Sequence, residues 1–291
     1  MVETAAADER VVHDGALAKL RDATTGGDRH PGDIVRLVLA LVLLGLCCAI
    51  ALGHVSRFER NVFRLVNQLP GSFDGTLTAL MQLGTAWAIL GAVVLALALR
   101  RTRLAVDLAV SGVFAALASR ALKVGVARAR PAAFFDQVVL RGVVERGHGF
   151  PSTHCAIAAA MATAAAPHLP RPARRATWAL VWVIAIARVF VGAHLPIDAL
   201  GGIALGWAIG AGVHLALGSP ATSTPPSVIR DALRQAGLAV SALVPVVADA
   251  RGSVPFFVHT DDGRVLFCKT VGREQRDADA LFKLWRYLAY R

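Results

Sequence analysis

The chain has 291 residues, of which 55% are hydrophobic and only 18% are charged, with a mean hydropathy of +0.54. This composition excludes an ordinary soluble domain and indicates a protein that crosses a membrane several times. A formal net charge of +11 is typical of nucleic-acid-binding proteins, but here much of it lies in short loops between apolar runs. The positive-inside rule accounts for that distribution, so we expect no nucleic-acid partner.

Six apolar runs follow a polar tail at residues 1–33, which we expect to be disordered and cytoplasmic. They predict an all-α membrane protein, a six-transmembrane-helix bundle covering residues 34–217. The predicted spans lie at about 34–53, 77–99, 104–126, 151–166, 176–193 and 197–217.

Two helical patterns refine this bundle. Between the first two spans, residues 54–74 alternate charged and apolar, and a short helix on the membrane surface is predicted there. Its apolar face is expected to hold Phe58, Val62, Phe63 and Val66. In the last span, Gly202, Gly206 and Gly210 recur every four residues and predict a smooth face for close helix packing.

Three polar motifs lie beside the spans. They read K-x6-R-P at 123–131, P-S-x-H at 151–154 and R-x5-H-x3-D at 188–198. Ionisable residues at the edge of a hydrocarbon layer are costly and indicate function. The residue types suit phosphoryl chemistry, because histidine can act as nucleophile or acid–base, a carboxylate can orient it, and arginine can bind phosphate oxygens.

The loop charges orient the bundle. Two basic loops, at 100–103 and 171–175, fall on the same side as both termini, and the positive-inside rule makes that side cytoplasmic. All three motifs then fall on the external side. We therefore expect a multi-pass protein of the cell membrane with an external site.

In these three motifs and their order, the sequence resembles the type 2 phosphatidic acid phosphatase superfamily, which includes the lipid phosphate phosphatases. The resemblance implies that His194 is the nucleophile and forms a phosphohistidine, and that Asp198 orients it. It implies that His154 protonates the leaving group and then activates water. The phosphate-binding residues that it implies are Lys123, Arg130, Ser152, Thr153 and Arg188.

Two positions depart from the family pattern. Ala187 stands where the family usually has serine, and Thr153 stands where it usually has glycine; neither removes a core catalytic group. Arg128 is left open between a snorkelling anchor and another role, and so is His148, a possible lining residue of the pocket. With no carboxylate cluster suited to Mg²⁺ near the motifs, we expect a site without metal or cofactor.

The predicted function is hydrolysis of a lipid phosphomonoester or diphosphate, such as polyprenyl diphosphate, phosphatidic acid or phosphatidylglycerol phosphate. The sequence does not choose among these lipids and does not indicate an oligomeric state. One alternative is a headgroup transferase or phosphotransferase that uses the same site with a non-water acceptor. Another is an inactive membrane scaffold with a cytoplasmic docking segment.

After a Ser/Thr/Pro-rich linker at 218–227, residues 228–291 are predicted to form a small cytoplasmic α+β segment. A helix is predicted at 228–238, a hairpin around 261–263, and a second helix at 277–290. Hairpin, lysine and helix resemble the start of a protein-kinase-like N-lobe, in which Lys269 would contact nucleotide phosphates. The alternative is a small appendage without that role.

Overall fold

The computed structural model describes residues 27–28, 31–142, 146–220, 226–245 and 255–269. The described chain is mostly helical and divides into two units, with the boundary along the chain between Pro220 and Ala221. The helices are α1 (Pro31–Leu52), α2 (Arg57–Asn67), α3 (Asp74–Met81), α4 (Ala86–Ala98), α5 (Thr102–Val126), α6 (Thr153–Ala165), α7 (Arg171–Phe190), α8 (Pro196–Leu217) and α9 (Pro226–Gln235). The strands are β1 (Gly27–Asp28), β2 (Ser219–Pro220), β3 (Val240–Pro245), β4 (Pro255–Thr260) and β5 (Val265–Lys269).

Helix α6 forms the centre of the first unit. Nine of its 13 residues are buried, most of them alanines, and α5, α7 and α8 pack around it. Alanine has high helix propensity and a small side chain, so neighbouring helices can approach closely. The short helix thus occupies the middle of the bundle.

The glycine face predicted on α8 packs against α6. A Cβ added at Gly206 would meet the carbonyl oxygen of Ala156 and would lie 2.7 Å from the nitrogen of Ala160. A Cβ at Gly210 would lie 2.7 Å from Cγ2 of Thr163. The two backbones therefore touch along this face, as its four-residue period predicts.

This contact gives a first prediction. Gly206→Ala should lower the free energy of unfolding by about 1–3 kcal/mol, because the new methyl group meets backbone atoms that cannot rotate away. Gly212→Ala is the matched control, since nothing lies within 4 Å of a Cβ there and alanine is the better helix former.

Both variants can be compared by heating them in detergent with a fluorogenic maleimide. The buried thiols of Cys47 and Cys155 become reactive when the bundle opens. If Gly206→Ala and Gly212→Ala had the same thermal unfolding midpoint, that result would contradict the close contact between α8 and α6.

Three helical stretches of the described chain are long and apolar enough to cross a membrane, namely Gly32–Leu52, Thr102–Ala133 and Pro196–Leu217. They coincide with the first, third and sixth predicted spans. Two others fall short: α6 is about 20 Å long at 1.5 Å per residue, against a hydrocarbon core of about 30 Å, and α7 contains four arginines. The six-span count remains a prediction.

The second predicted span is broken. Gly71–Gly84 and Ala86–Ala98 pass the same test only as a pair, bent by 67°. Thr85 starts the second part by accepting a hydrogen bond from the Ala88 N–H, and a Cβ at Gly84 would lie 2.6 Å from the carbonyl oxygen of His154. A helix cap and a close backbone approach therefore produce the bend, and neither alters hydropathy.

Helix α2 is helical as predicted, but a different face is buried. Phe63 is 1% exposed, whereas Phe58, which is predicted on the same apolar face, is 78% exposed. The buried positions are Glu59, Phe63 and Asn67, spaced four residues apart. Two of these three are polar, so α2 contributes polar contacts to the interior.

The described part of the second unit contains α9 and an antiparallel sheet of order β3–β4–β5. The predicted hairpin is confirmed, because β4 and β5 pair around the turn at 261–264. Arg264 and Thr260 hold the pKa of Asp262 in this turn below its usual range. Lys269 ends β5, and the predicted helix at 277–290 lies outside the described residues; the nucleotide-binding role of Lys269 stays a prediction.

Candidate active site

The first and third motifs are joined through backbone carbonyl groups. Nζ of Lys123, near the end of α5, donates to the carbonyl oxygens of His148 at 2.9 Å and Gly149 at 3.2 Å. Nη1 of Arg130 donates to the carbonyl oxygen of Ala193 at 2.8 Å. Both cations therefore position the chain segments that carry the histidines.

The second motif meets the third at the start of α6. The N–H of Ser152 donates to the backbone carbonyl of Asp198 at 2.8 Å, which fixes the ends of α6 and α8 together. This N–H is therefore engaged with protein. The side chain of Ser152 is fully buried, while Thr153 is half-buried.

Three predicted residues line one cavity of about 340 Å³: Arg130, His154 and Arg188. Arg188 is 1% exposed, and its Nη1 lies 3.6 Å from the sulfur of Met81. Two guanidinium groups and an imidazole suit an anionic ligand, because arginine binds phosphate oxygens through its planar fork. The remaining lining residues are Thr78, Met81, Gln82, Ala132, Leu140, Arg141, Gly142, Val191, Gly192 and Ala193.

His194 directly follows the lining residue Ala193 but is not itself among the residues that line the cavity. It is 1% exposed, and Asp198 is fully buried. Nδ1 of His194 is 3.7 Å from Oδ2 of Asp198. The spacing of four residues brings the two together because α8 begins between them and Asp198 falls in its first turn. A carboxylate at Nδ1 leaves Nε2 as the nitrogen that can react.

Asp198 is held by more than His194. Its Oδ2 accepts a hydrogen bond from the N–H of Leu195 at 2.9 Å, and its Oδ1 accepts one from Nη1 of Arg128 at 3.0 Å. The first contact caps the N-terminus of α8, where a negative charge is favourable. Both oxygens therefore have fixed directions.

Arg128 does not snorkel to an aqueous surface. It is 5% exposed and binds Glu59 through two hydrogen bonds, Nη1 to Oε1 at 3.1 Å and Nη2 to Oε2 at 2.8 Å. Oε1 of Glu59 also accepts from the N–H of Ile197 at 3.2 Å. We name the set of Glu59, Arg128, Asp198 and His194 the charge chain.

Glu59 is the member of the charge chain that motif reading missed. It is 2% exposed and lies on α2, more than 60 residues before the first motif. A signal for it exists, because Glu59 precedes the buried Phe63 by one helical turn and so shares its face. A carboxylate on the apolar face of a helix indicates a buried partner.

Gly149 allows the second motif to approach the charge chain. A Cβ there would lie 2.9 Å from Oδ2 of Asp198 and 3.1 Å from the carbonyl oxygen of Ala129. Its N–H donates to the carbonyl oxygen of Arg128 at 2.7 Å. His148, beside it, is exposed and does not line the described cavity.

A second, open groove of about 800 Å³ adjoins the cavity. The two share Thr78 and Gln82 on one wall and residues 140–142 on the other. Arg141 fastens that second wall, because it donates to the carbonyl oxygens of Asn67 and Phe190, each at 2.7 Å. The cavity therefore opens toward the surface along α3.

Residues 104–219 match the model of the PAP2 superfamily. The fold is similar to the crystal structure of LpxE from Aquifex aeolicus, at 21% identity and a TM-score of 0.51, covering 54% of this chain and 95% of that one.

A second similar structure is described as the first transmembrane PAP2 type phosphatidylglycerolphosphate phosphatase, from Bacillus subtilis. It is 21% identical with a TM-score of 0.52, covering 61% of this chain and 94% of that one. No curated protein matches the sequence closely enough to count as a relative. At 21% identity the two structures establish the fold alone, over the part of this chain that they cover.

Proposed function

We propose that the protein, whose residues 104–219 match the model of the PAP2 superfamily, is an integral membrane lipid phosphatase that acts through a phosphohistidine. The observation that carries the proposal is the cavity lined by Arg130, His154 and Arg188 beside the buried pair of His194 and Asp198. It combines anion binding, a nucleophile and an acid in one place.

In the first step, Nε2 of His194 attacks phosphorus and the bond from phosphorus to the lipid oxygen breaks. The departing oxygen takes a proton from His154, which releases the alcohol, or the lipid phosphate in the case of a diphosphate. Arg130 and Arg188 bind the phosphoryl oxygens, whose negative charge is redistributed during transfer. Asp198 stabilises the positive charge on the His194 ring.

In the second step, His154 accepts a proton from water, and that water attacks the phosphohistidine. The bond between Nε2 and phosphorus breaks, which regenerates His194 and releases inorganic phosphate. Lys123 supports the site by holding the carbonyl groups at 148–149. Ser152 supports the site by joining the start of α6 to α8 through its N–H, and Thr153 contributes through the N-terminus of α6.

A membrane lipid suits the groove that adjoins the cavity. The phosphate enters the cationic cavity, and the chain-bearing part lies along α3 toward the surface. Phosphatidic acid, phosphatidylglycerol phosphate and polyprenyl diphosphates share this arrangement of a terminal phosphate on a long apolar chain. We propose the site faces the external side, opposite the basic loops at 100–103 and 171–175.

The reaction is proposed to need no metal. The two carboxylates of the charge chain, Glu59 and Asp198, already bind Arg128 and backbone N–H groups, and Asp74 of the adjoining groove lies 2.9 Å from Arg141. Cations of the protein then neutralise the phosphate.

The test is phosphate release by the full chain in detergent with EDTA present. The substrates are the three lipid classes, with soluble glycerol 3-phosphate as a comparator that has a headgroup but no chain. We expect release from at least one lipid, undiminished by EDTA, and much slower release from the soluble ester. Equal rates on glycerol 3-phosphate would contradict a lipid substrate, and loss in EDTA would contradict metal independence.

A further inference from the structure

The charge chain holds more negative charge than its own cation balances. Glu59 and Asp198 each contribute one negative charge, and Arg128 contributes one positive charge, while all three side chains are almost completely buried. With a neutral His194, the four members of the charge chain sum to one negative charge, which Lys123 offsets only from outside the set. Burying an unbalanced charge is expensive.

A structural role alone would not require this arrangement. One carboxylate suffices to neutralise Arg128, so the second adds negative potential next to His194. The excess is balanced when His194, 3.7 Å from Asp198, carries a positive charge. The ring carries such a charge when it is protonated or phosphorylated.

We propose that Glu59 and Arg128 are positioning residues that act through Asp198 to set the basicity of His194. Arg128 bridges Oδ1 of Asp198 and both oxygens of Glu59, so its charge is shared between two carboxylates. Arg128 therefore sets how much of the negative potential of Asp198 acts on the ring. This inference rests on the proposed function for the role of His194 as nucleophile.

Groups from several helices contribute to the same field. Beyond the charge chain, the charged and titratable residues near this set are Lys123 of α5, Arg130, which donates to the carbonyl oxygen of Ala193, Cys155 and His154 of α6 and Arg188 of α7. These groups stay in place in the variants below. Differences between variants therefore report the charge chain.

Glu59→Gln removes one negative charge and keeps an amide of the same shape for Arg128 and Ile197. The full charge of Arg128 then acts on Asp198, the pKa of His194 falls, and the acid limb of kcat/KM moves to lower pH. A charge about 10 Å away at an effective dielectric constant of about 20 shifts a pKa by about one unit. The expected shift is therefore about one pH unit downward.

The double variant Glu59→Gln/Arg128→Gln should move the limb the other way. It removes the positive charge of Arg128, which contacts Asp198, and the negative charge of Glu59, which contacts Arg128 and lies farther from His194. The pKa of His194 then rises, and the acid limb moves to higher pH. The double variant also replaces an ion pair by two amides and leaves no additional buried charge, so it serves if the single variant does not fold.

The experiment is the pH dependence of kcat/KM for phosphatidic acid in wild type, both variants and Asp107→Asn. Asp107 is a matched control, because it is a fully buried carboxylate of the same unit, bound to Arg103 and His168. Its variant should leave both limbs unchanged. Ionisation of the substrate is the same in every profile, and the alkaline limb, assigned to His154, is an internal reference.

Opposite shifts in the single and double variants support the proposal. Unchanged acid limbs in folded, active variants would overturn it and leave the proposed function standing. A second readout is independent of activity: NMR titration of protein labelled in its histidine rings, with His194→Gln to assign the resonance. If wild type hydrolyses no lipid phosphate but the His194 titration still shifts as expected, the proposed function fails and the charge chain stands; if neither occurs, both fail.

Discussion

His194→Ala should abolish release of phosphate from lipid substrates, with a loss in kcat of about 10⁴-fold or more, as is usual when a nucleophile is removed. The ring is buried beside Asp198 and adjoins the cavity that holds Arg130, His154 and Arg188. Asp198 is not placed to take over the covalent step, because it binds Arg128 and a backbone N–H. Phosphate release over time measures the effect.

His148→Ala is the control for this experiment. It makes the same substitution in the second-motif loop, but its side chain is exposed and only its backbone carbonyl contacts Lys123. Its rate should stay within about twofold of wild type, since exposed substitutions away from a site change little. Substantial activity in folded His194→Ala would show that the nucleophile is another residue.

Of the single substitutions that we consider in the first unit, Arg128→Met should be the most destabilising. It should lower the free energy of unfolding by about 3–5 kcal/mol. Methionine fills much of the volume but leaves Glu59 and Asp198 buried without their cation. Both carboxylates then remain close together in a medium of low dielectric constant. The maleimide melting experiment in detergent measures the loss through Cys47 and Cys155.

Arg36→Met is the matched control, because it removes an arginine from an ion pair of the same unit. Arg36 contacts Asp33 at 2.6 Å, but its side chain is 56% exposed. Exposed ion pairs contribute about 0–1 kcal/mol, so its melting point should change little. Similar melting points for both variants would contradict the importance of burial for Arg128.

The motif residues could be predicted because their chemistry is local in sequence. His194 lies just before α8 and Asp198 lies in the first turn of that helix, so their four-residue spacing places the two side chains close together. The glycine period of α8 likewise predicts its packing face before any coordinates. In each case the whole signal lies within one short stretch of the sequence.

Glu59 could not be predicted in the same way because its partner is far away in sequence. Arg128 lies 69 residues later, and no spacing rule connects them. The hydrophobic pattern of α2 also places Phe58 on the predicted apolar face, but Phe58 is exposed in the structure. The buried polar residues Glu59 and Asn67 define the true inner face, and only their partners explain them.

The bend near Thr85 was also beyond the sequence pattern. Hydropathy runs through 77–99 without interruption, so a single span is the natural prediction. The cause of the bend is the close approach of Gly84 to the backbone of His154, which depends on tertiary packing. The bend places Thr78 and Gln82 on the wall of the cavity.

The most direct test of the account is to locate the covalent phosphate. Wild type is incubated with phosphatidic acid carrying a labelled phosphate and quenched in alkali, which preserves phosphohistidine, and the modified peptide is identified by mass spectrometry. The account predicts label on His194, and none in His194→Ala. Label on His154 or another residue, or turnover with no labelled protein under conditions that trap phosphohistidine, would contradict it.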